Sequence, residues 1–348
     1  MSGRPRLAAA LGFSAPIVAV ALALAAGGAF ILAAGEDPFA IYVLIFSQCF
    51  GTGYGIGQTL FKATPLIFTG LAVAIGFRGG LFNIGVEGQL YLGGFASALA
   101  ALALANTPAP FPLIGALAAA ALAGAVWGAI PGLLKARFGA HEVINTIMMN
   151  FIAFSLVAFI GRQVFETATV RTAQIPAAAQ IPRFDTWLPA LRGSPANVSL
   201  IFAVLLALAV GYLMFRTRLG YAIRAVGFNP SAAEYGGIAI GRTQTVTLAI
   251  SGALAGVGGV NFVLGYKHFF ELGFSAGAGF LGIAVALIGR NHPLGVIVAA
   301  LFFGALSYGG LVINQRVPKE LVEMLTAFVI LFAIAVQQVM ERLARGLR

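Results

Sequence analysis

Ten stretches of this chain are apolar enough to enter or cross a lipid bilayer, at about 14–34, 63–78, 86–105, 112–134, 143–162, 198–215, 244–264, 276–290, 293–313 and 322–340. That repetition constrains the fold more than any motif does, because in lipid only structures that satisfy every backbone hydrogen bond internally persist. Helices of about 20 residues meet the demand. Composition agrees: 60% of the residues are hydrophobic and 9% charged, against roughly a quarter charged in a soluble domain. The 45 glycines suit helices packed closely enough for backbones to approach. The expected fold is an all-α polytopic membrane protein of about ten transmembrane helices, a single domain over 1–348.

The formal net charge of +10 does not point to nucleic acid, because the basic residues sit singly at the ends of apolar runs and form no basic face. They report orientation instead. With a cytoplasmic N-terminus, ten crossings also place the C-terminus inside. Arg4, Arg6, Arg78, Lys135, Arg137, Arg216, Arg218, Arg224, Arg242, Arg290, Arg342, Arg345 and Arg348 then face inward, thirteen of the 21 basic residues. Counting 38–61 as a further crossing would send Arg78, Lys135 and Arg137 outward. Its run Gly51-Thr52-Gly53-Tyr54-Gly55-Ile56-Gly57 weakens a continuous helix, so 38–61 is expected as an outer elbow. The runs 63–78 and 276–290 are short and read as half-helices. The 163–197 segment, with Pro176, Pro182, Pro189, Pro195 and Trp187, reads as an extracytoplasmic loop that caps the bundle or contacts a delivery protein.

Covalent chemistry has no foothold. The chain lacks a phosphate-binding Gly-x-x-x-x-Gly-Lys-Ser/Thr loop, and His141, His268 and His292 share no ligand spacing. The single cysteine, Cys49, excludes an intrachain disulfide. Chemistry of another kind lies in Gly79-Gly80-Leu81-Phe82-Asn83-Ile84-Gly85-Val86-Glu87-Gly88-Gln89, a polar island between two membrane-grade runs. Phe82 offers a stacking surface, and Asn83 and Gln89 each offer donor and acceptor. Glu87 needs a partner or a proton at membrane depth. A structural network, a pore lining and an exposed face all remain open for it. A second polar strip carries Asn145 and Asn150 behind Glu142, which fits a helix start. The two asparagines are about 140° apart on a helix, so one can face a pore while the other joins helices. Gly124, Gly128 and Gly132, and separately the run from Ser251 to Gly259, predict close helix seams.

The most telling stretch on the inner side runs from Arg224 to Ile238. Asn229 is suited to cap and Pro230 to open a short helix that stops at Gly236-Gly237. It lies within an expected cytoplasmic loop at 216–243.

Together these motifs resemble the permease subunits of bacterial ATP-binding-cassette importers in the branched-chain amino acid, ribose and nucleoside group, over about 15–340. The segments that carry the resemblance are Gly80–Gln89, Glu142–Asn150, Gly227–Ile238 and Gly289–Gly295, and they lean toward the nucleoside or simple-sugar subset. The resemblance implies a type II-like permease in the bacterial inner membrane, without an ATPase site or cofactor of its own. ATP and Mg would sit on two cytoplasmic ABC ATPase subunits or one fused double ATPase. It further implies a second permease, a distinct homologue, and an extracytoplasmic substrate-binding lipoprotein or periplasmic protein. Phe82, Asn83, Glu87, Gln89, Asn145 and Asn150 fall along the implied substrate pathway. Arg224, Gly227, Phe228, Asn229, Pro230, Ala232, Ala233, Tyr235 and Gly236 match the ATPase-coupling region. The expected cargo is purine or pyrimidine nucleosides, with ribose or another simple sugar as the alternative. A secondary transporter coupled to protons or ions through Glu87 is a reading of a different class.

Overall fold

Apolar runs broken by glycine and proline give a chain whose regular structure, among the described residues, is helical. The computed structural model describes residues 4–314, 316, 323–332, 335–336 and 339. The helices are α1 Arg4–Ala33, α2 Pro38–Phe50, α3 Gly53–Arg78, α4 Val86–Ala103, α5 Phe111–Phe138, α6 Glu142–Val164, α7 Ser199–Arg216, α8 Arg218–Phe228, α9 Pro230–Tyr235, α10 Ile240–Gly258, α11 Ala278–Ile288 and α12 Pro293–Ile313, with α13 at Glu323–Phe332. Among the described residues, six helical stretches are long and apolar enough to cross a membrane: α3, α5, α6, α7, Ile240–Lys267 and α12. The last of the predicted runs, 322–340, falls partly outside the described residues, as do Arg342, Arg345 and Arg348.

One boundary differs from the sequence expectation. The short run at 63–78 is the C-terminal part of the 26-residue α3, which starts at Gly53 and carries Gly55 and Gly57 inside it. Thr52 caps that start, its Oγ1 accepting from the Gly55 amide at 3.0 Å. A side-chain cap and burial on neighbouring helices outweigh the weak helix propensity of three glycines. Within 38–61, α2 therefore ends before Gly51, and the remainder belongs to α3. The stretch Val20–Ala33 meets α2 at a bend of 116°.

α3 is the axis of the bundle. Its most apolar window is 83% buried, against 22% for α5 and 28% for α6 and for α7, so α3 sits inside while those three present broad faces outward. Phe68, Leu71 and Ile75 of α3 pack with Val285 of α11, Val296 and Phe303 of α12 and Ala207 of α7. A second core joins Tyr91 and Phe95 of α4 to Phe270, with Tyr91 lying 5.4 Å from Phe274, nearly parallel.

The two glycine-rich stretches singled out in the sequence pack on each other. Any side chain at Gly124 would overlap the Gly252 carbonyl, one at Gly252 would overlap the Gly124 carbonyl, and one at Gly256 would meet that of Ala120. Lipid tails are as apolar as leucine, so this association rests on van der Waals contact that only small residues permit. Replacing Gly252 by Leu is expected to cost about 3 kcal/mol or more, read as a lower unfolding midpoint in detergent. Leu122→Ala, on the exposed side of α5, should stay within about 0.5 kcal/mol.

Candidate functional site

The polar island begins where α3 stops. Gly79 and Gly80 end the helix, Gly80 at φ +68°, and the chain turns back into the bundle through an irregular segment and a turn at Ile84-Gly85 until α4 opens at Val86. An irregular segment here leaves main-chain groups that lipid cannot satisfy, and the predicted Asn83 and Asn150, together with Thr146, satisfy several of them. Asn83 Oδ1 accepts from the Gly85 amide at 3.1 Å and from Gln89 Nε2 at 3.2 Å. Its Nδ2 donates to Gln89 Oε1 at 2.9 Å and Ser251 Oγ at 2.8 Å, and Ser251 passes the chain on to the Ala72 carbonyl at 2.6 Å. Asn150 Oδ1 accepts from the Gly88 amide at 2.8 Å while its Nδ2 donates to the Ile84 carbonyl at 3.0 Å. The Ile84 amide donates to Thr146 Oγ1 at 3.2 Å. Asn83, Gln89, Thr146 and Asn150 are all buried. The side chains of two further predicted members, Phe82 and Asn145, sit apart from this network, although the Phe82 carbonyl accepts from Thr146 Oγ1 at 3.5 Å. Phe82 is half-buried and meets Phe77 edge-on at 4.8 Å, and the Asn145 Nδ2 is enclosed with no partner.

Glu87 has a separate task. Its Oε1 accepts from Ser275 Oγ at 2.6 Å and the Gly277 amide at 3.2 Å, and its Oε2 from the Gly279 amide at 2.5 Å. Gly279 lies in the first turn of α11, Gly277 is its N-cap, and Ser275 belongs to the irregular segment before it, with positive φ at Gly273, Ala276 and Gly277. Thr69 Oγ1, nine residues before the end of α3, donates to the Ala278 carbonyl at 3.1 Å, so α11 starts about 14 Å into the bundle from that end. The carboxylate thus meets the positive end of a half-helix at depth. Ser275 was not singled out from the sequence: it lies 188 positions from Glu87, and its local signal is only that of a small hydroxyl residue before an apolar run.

Beside the start of α11 opens a groove of about 590 Å³ lined by Gly277, Phe280, Ser307, Gly310, Glu323 and Thr326. A larger groove, about 700 Å³ between α2 and α12, is walled by apolar residues such as Phe39, Phe46 and Phe302.

In the expected 216–243 loop, α9 forms as the sequence predicts, preceded by α8, a helix that the sequence reading did not include. Asn229 Oδ1 accepts from the Ala232 amide at 3.0 Å, Pro230 occupies the first turn, and Gly236 ends the helix. Phe228 and Tyr235 are 87% and 97% exposed, and Pro230 and Ala232 are exposed beside them. Three members face inward instead: Ala233 is buried, the Arg224 guanidinium lies 5.6 Å over the Phe215 ring, and Gly227 packs on α3. A side chain at Gly227 would collide with the Arg78 carbonyl, and one at Gly80 would approach the Gly227 Cα to 3.1 Å. The base of the exposed helix therefore touches the turn that opens the polar island.

Removing the charge of Glu87 tests its capping role. Glu87→Gln turns an amide donor toward a ring of donors, and a loss of about 1–3 kcal/mol is expected, measured as the unfolding midpoint in detergent. An unchanged midpoint would remove the role.

The family model described as "Branched-chain amino acid transport system / permease component" matches residues 55–334. The guanosine ABC transporter permease protein of Bacillus subtilis is 39% identical, over 95% of this chain and 96% of its own length. The nucleoside ABC transporter permease protein of Lactococcus lactis is 36% identical over 94% and 91%. The glucose ABC transporter permease protein of Haloferax volcanii is 34% identical over 93% and 87%. No solved structure matches. With a membrane-spanning helical bundle and similarity that runs nearly its whole length, this chain belongs to the branched-chain amino acid transport system permease family, as the permease component of an ABC importer.

Proposed function

We propose that the chain is one of two membrane subunits of an ATP-driven importer that carries nucleosides, purine, pyrimidine or both, across the bacterial inner membrane. The observation that carries this reading is the end-to-end similarity to a guanosine permease. In this reading ten crossings are α1, α3, α4, α5, α6, α7, Ile240–Lys267, α11, α12 and the helix that includes α13, with both termini inside. The 38–61 region forms the outer elbow and 163–197 the extracytoplasmic loop, where a substrate-binding lipoprotein or periplasmic protein delivers its cargo. Two ATPases, or one fused pair, hold ATP and Mg and grip the 216–243 loop. A distinct homologous permease completes the membrane pair.

The coupling surface is the end of α8 and the exposed side of α9, with Phe228, Pro230, Ala232 and Tyr235 as its contacts. Arg224, Gly227, Asn229, Ala233 and Gly236 hold that surface in place. ATP-driven movement passes from Gly227 to Gly80 and on to the island. Phe82, half-buried, is the member whose side chain a passing solute can meet, and Asn145 Nδ2 is the one buried polar group of the set without a partner. Asn83, Glu87, Gln89 and Asn150 shape the route by bracing its wall, since their polar groups are already engaged. The groove at the start of α11 is the outward chamber: Phe280 supplies an aromatic face, and Ser307 and Glu323 supply polar groups, the combination that small polar ligands with a flat ring require.

A simple sugar is the second reading, favoured by the glucose permease relative. Uptake of labelled guanosine against labelled glucose, in vesicles containing the assembled complex, separates the two. Saturable guanosine uptake that needs ATP is expected, and glucose uptake alone would overturn the nucleoside assignment. For the coupling surface, Phe228→Ala and Tyr235→Ala should each weaken ATPase co-purification about tenfold. Trp187→Ala, in the long loop, should leave it unchanged. Equal docking in all three would refute the assignment.

A further inference from the structure

The C-terminal ends of α3 and α7 meet the middle of α8 at one aromatic ring. Arg78 and Arg224 both stand over Phe215, their guanidinium carbons 5.5 and 5.6 Å from its centroid. His292 stacks on the same ring at 5.6 Å, with 27° between the planes. Two cations held beside one ring repel each other unless an anion lies between or beside them. Among the described residues no carboxylate pairs with either arginine; the ion pairs there are Lys135–Glu142, Arg171–Glu166 and Lys267–Glu271. Sequence explains the deficit. No acidic residue occurs between Asp185 and Glu234, between Asp37 and Glu87, or between Glu271 and Glu320, the three stretches that supply Arg224 and Phe215, Arg78, and His292.

Hydrogen bonding shows the same deficit. Arg78 spends its Nε on the Asn291 carbonyl at 3.1 Å. The Arg224 Nε is enclosed and has no partner. An enclosed guanidinium donor left open is costly and marks a place for an acceptor. The surroundings indicate which acceptor. Phe215 is itself 38% exposed, and Tyr212 and Tyr221 are exposed near it in the chain. Aromatic residues and arginines at the end of an apolar helix mark the level of lipid headgroups.

We propose that Arg78 and Arg224 form a binding site for the headgroup phosphate of an anionic phospholipid in the cytoplasmic leaflet, with Phe215 supporting the start of its acyl region. Basic pockets between helices on that side suit such headgroups. The leaflet rests on the orientation proposed above; the phosphate chemistry rests on the arginines alone. Because Arg224 lies on α8, one helical turn from Gly227, and Arg78 closes α3, a bound phosphate ties the base of the coupling helix to the end of the central helix.

The test uses the purified permease complex carried through delipidation in detergent, with retained lipids measured by mass spectrometry. Phosphatidylglycerol should be retained over phosphatidylcholine. Arg78→Gln and Arg224→Gln should each reduce retention about fivefold, the effect of one basic contact near an anionic surface. Arg224→Lys keeps the charge and should retain most of the lipid, which separates site loss from misfolding. Arg192→Gln, in the exposed outer loop, should change nothing. Millimolar inorganic phosphate should not displace the lipid; displacement would assign the site to a free anion and overturn the lipid proposal. Retention equal to the parent in both Gln variants would also overturn it. So would lost ATPase binding with lipid retention intact, which would turn the arginines toward a partner's carboxylates. Retention is read without solute or ATP, so an importer that carries sugar instead of nucleosides would leave this result standing.

Discussion

A helix that starts inside a membrane leaves its first amide groups facing a medium with no hydrogen-bond acceptors, and the architecture of this permease depends on how that deficit is met. α4 and α11 both begin at depth. The carboxylate of Glu87, in the first turn of α4, accepts from the first turn of α11, while Asn150 of α6 supplies the acceptor for the Gly88 amide. Two broken helices thereby secure each other. Removing either partner exposes a charge or a set of amides where neither is tolerated, so the pairing fixes the register of α4, α6 and α11 together.

Around that centre the molecule uses two kinds of helix contact. α5 lies on α10 through main chain against main chain, at Gly124, Gly252 and Gly256, which gives a close, smooth seam. The central α3 meets α11 and α12 through bulky interlocked side chains such as Leu71, Val285 and Phe303. The first arrangement resists separation but has little to hinder sliding; the second resists sliding. The groove at the start of α11 lies on the interlocked side, among α11, α12 and α13.

Much of this was legible in the sequence because its signals are local. Asn229-Pro230 followed by Gly236-Gly237 specifies a short capped helix within nine residues, and the fold contains it. Periodic glycines announced the α5–α10 seam without naming its partner. What escaped was either distant or decided by packing. The Ser275 contact to Glu87 spans 188 positions, and nothing in the spacing connects them. The true start of α3 was hidden because glycines that disfavour a helix in isolation are carried by a Thr52 cap and by buried neighbours. The island showed that polar groups were needed, but the sequence could not distinguish groups that serve a solute from groups that serve the backbone. In the fold, most of them serve the backbone.

The junction of Gly227 with Gly80 is built from backbone on both sides. Such a joint carries no information about side-chain identity, whereas the aromatic tips at Phe228 and Tyr235 carry a great deal. In the coupling role proposed for this surface, recognition and leverage become separate modules a few residues apart. On that proposal, exchanging 228–235 for the matching stretch of another permease changes the surface offered to a motor and leaves the backbone joint intact.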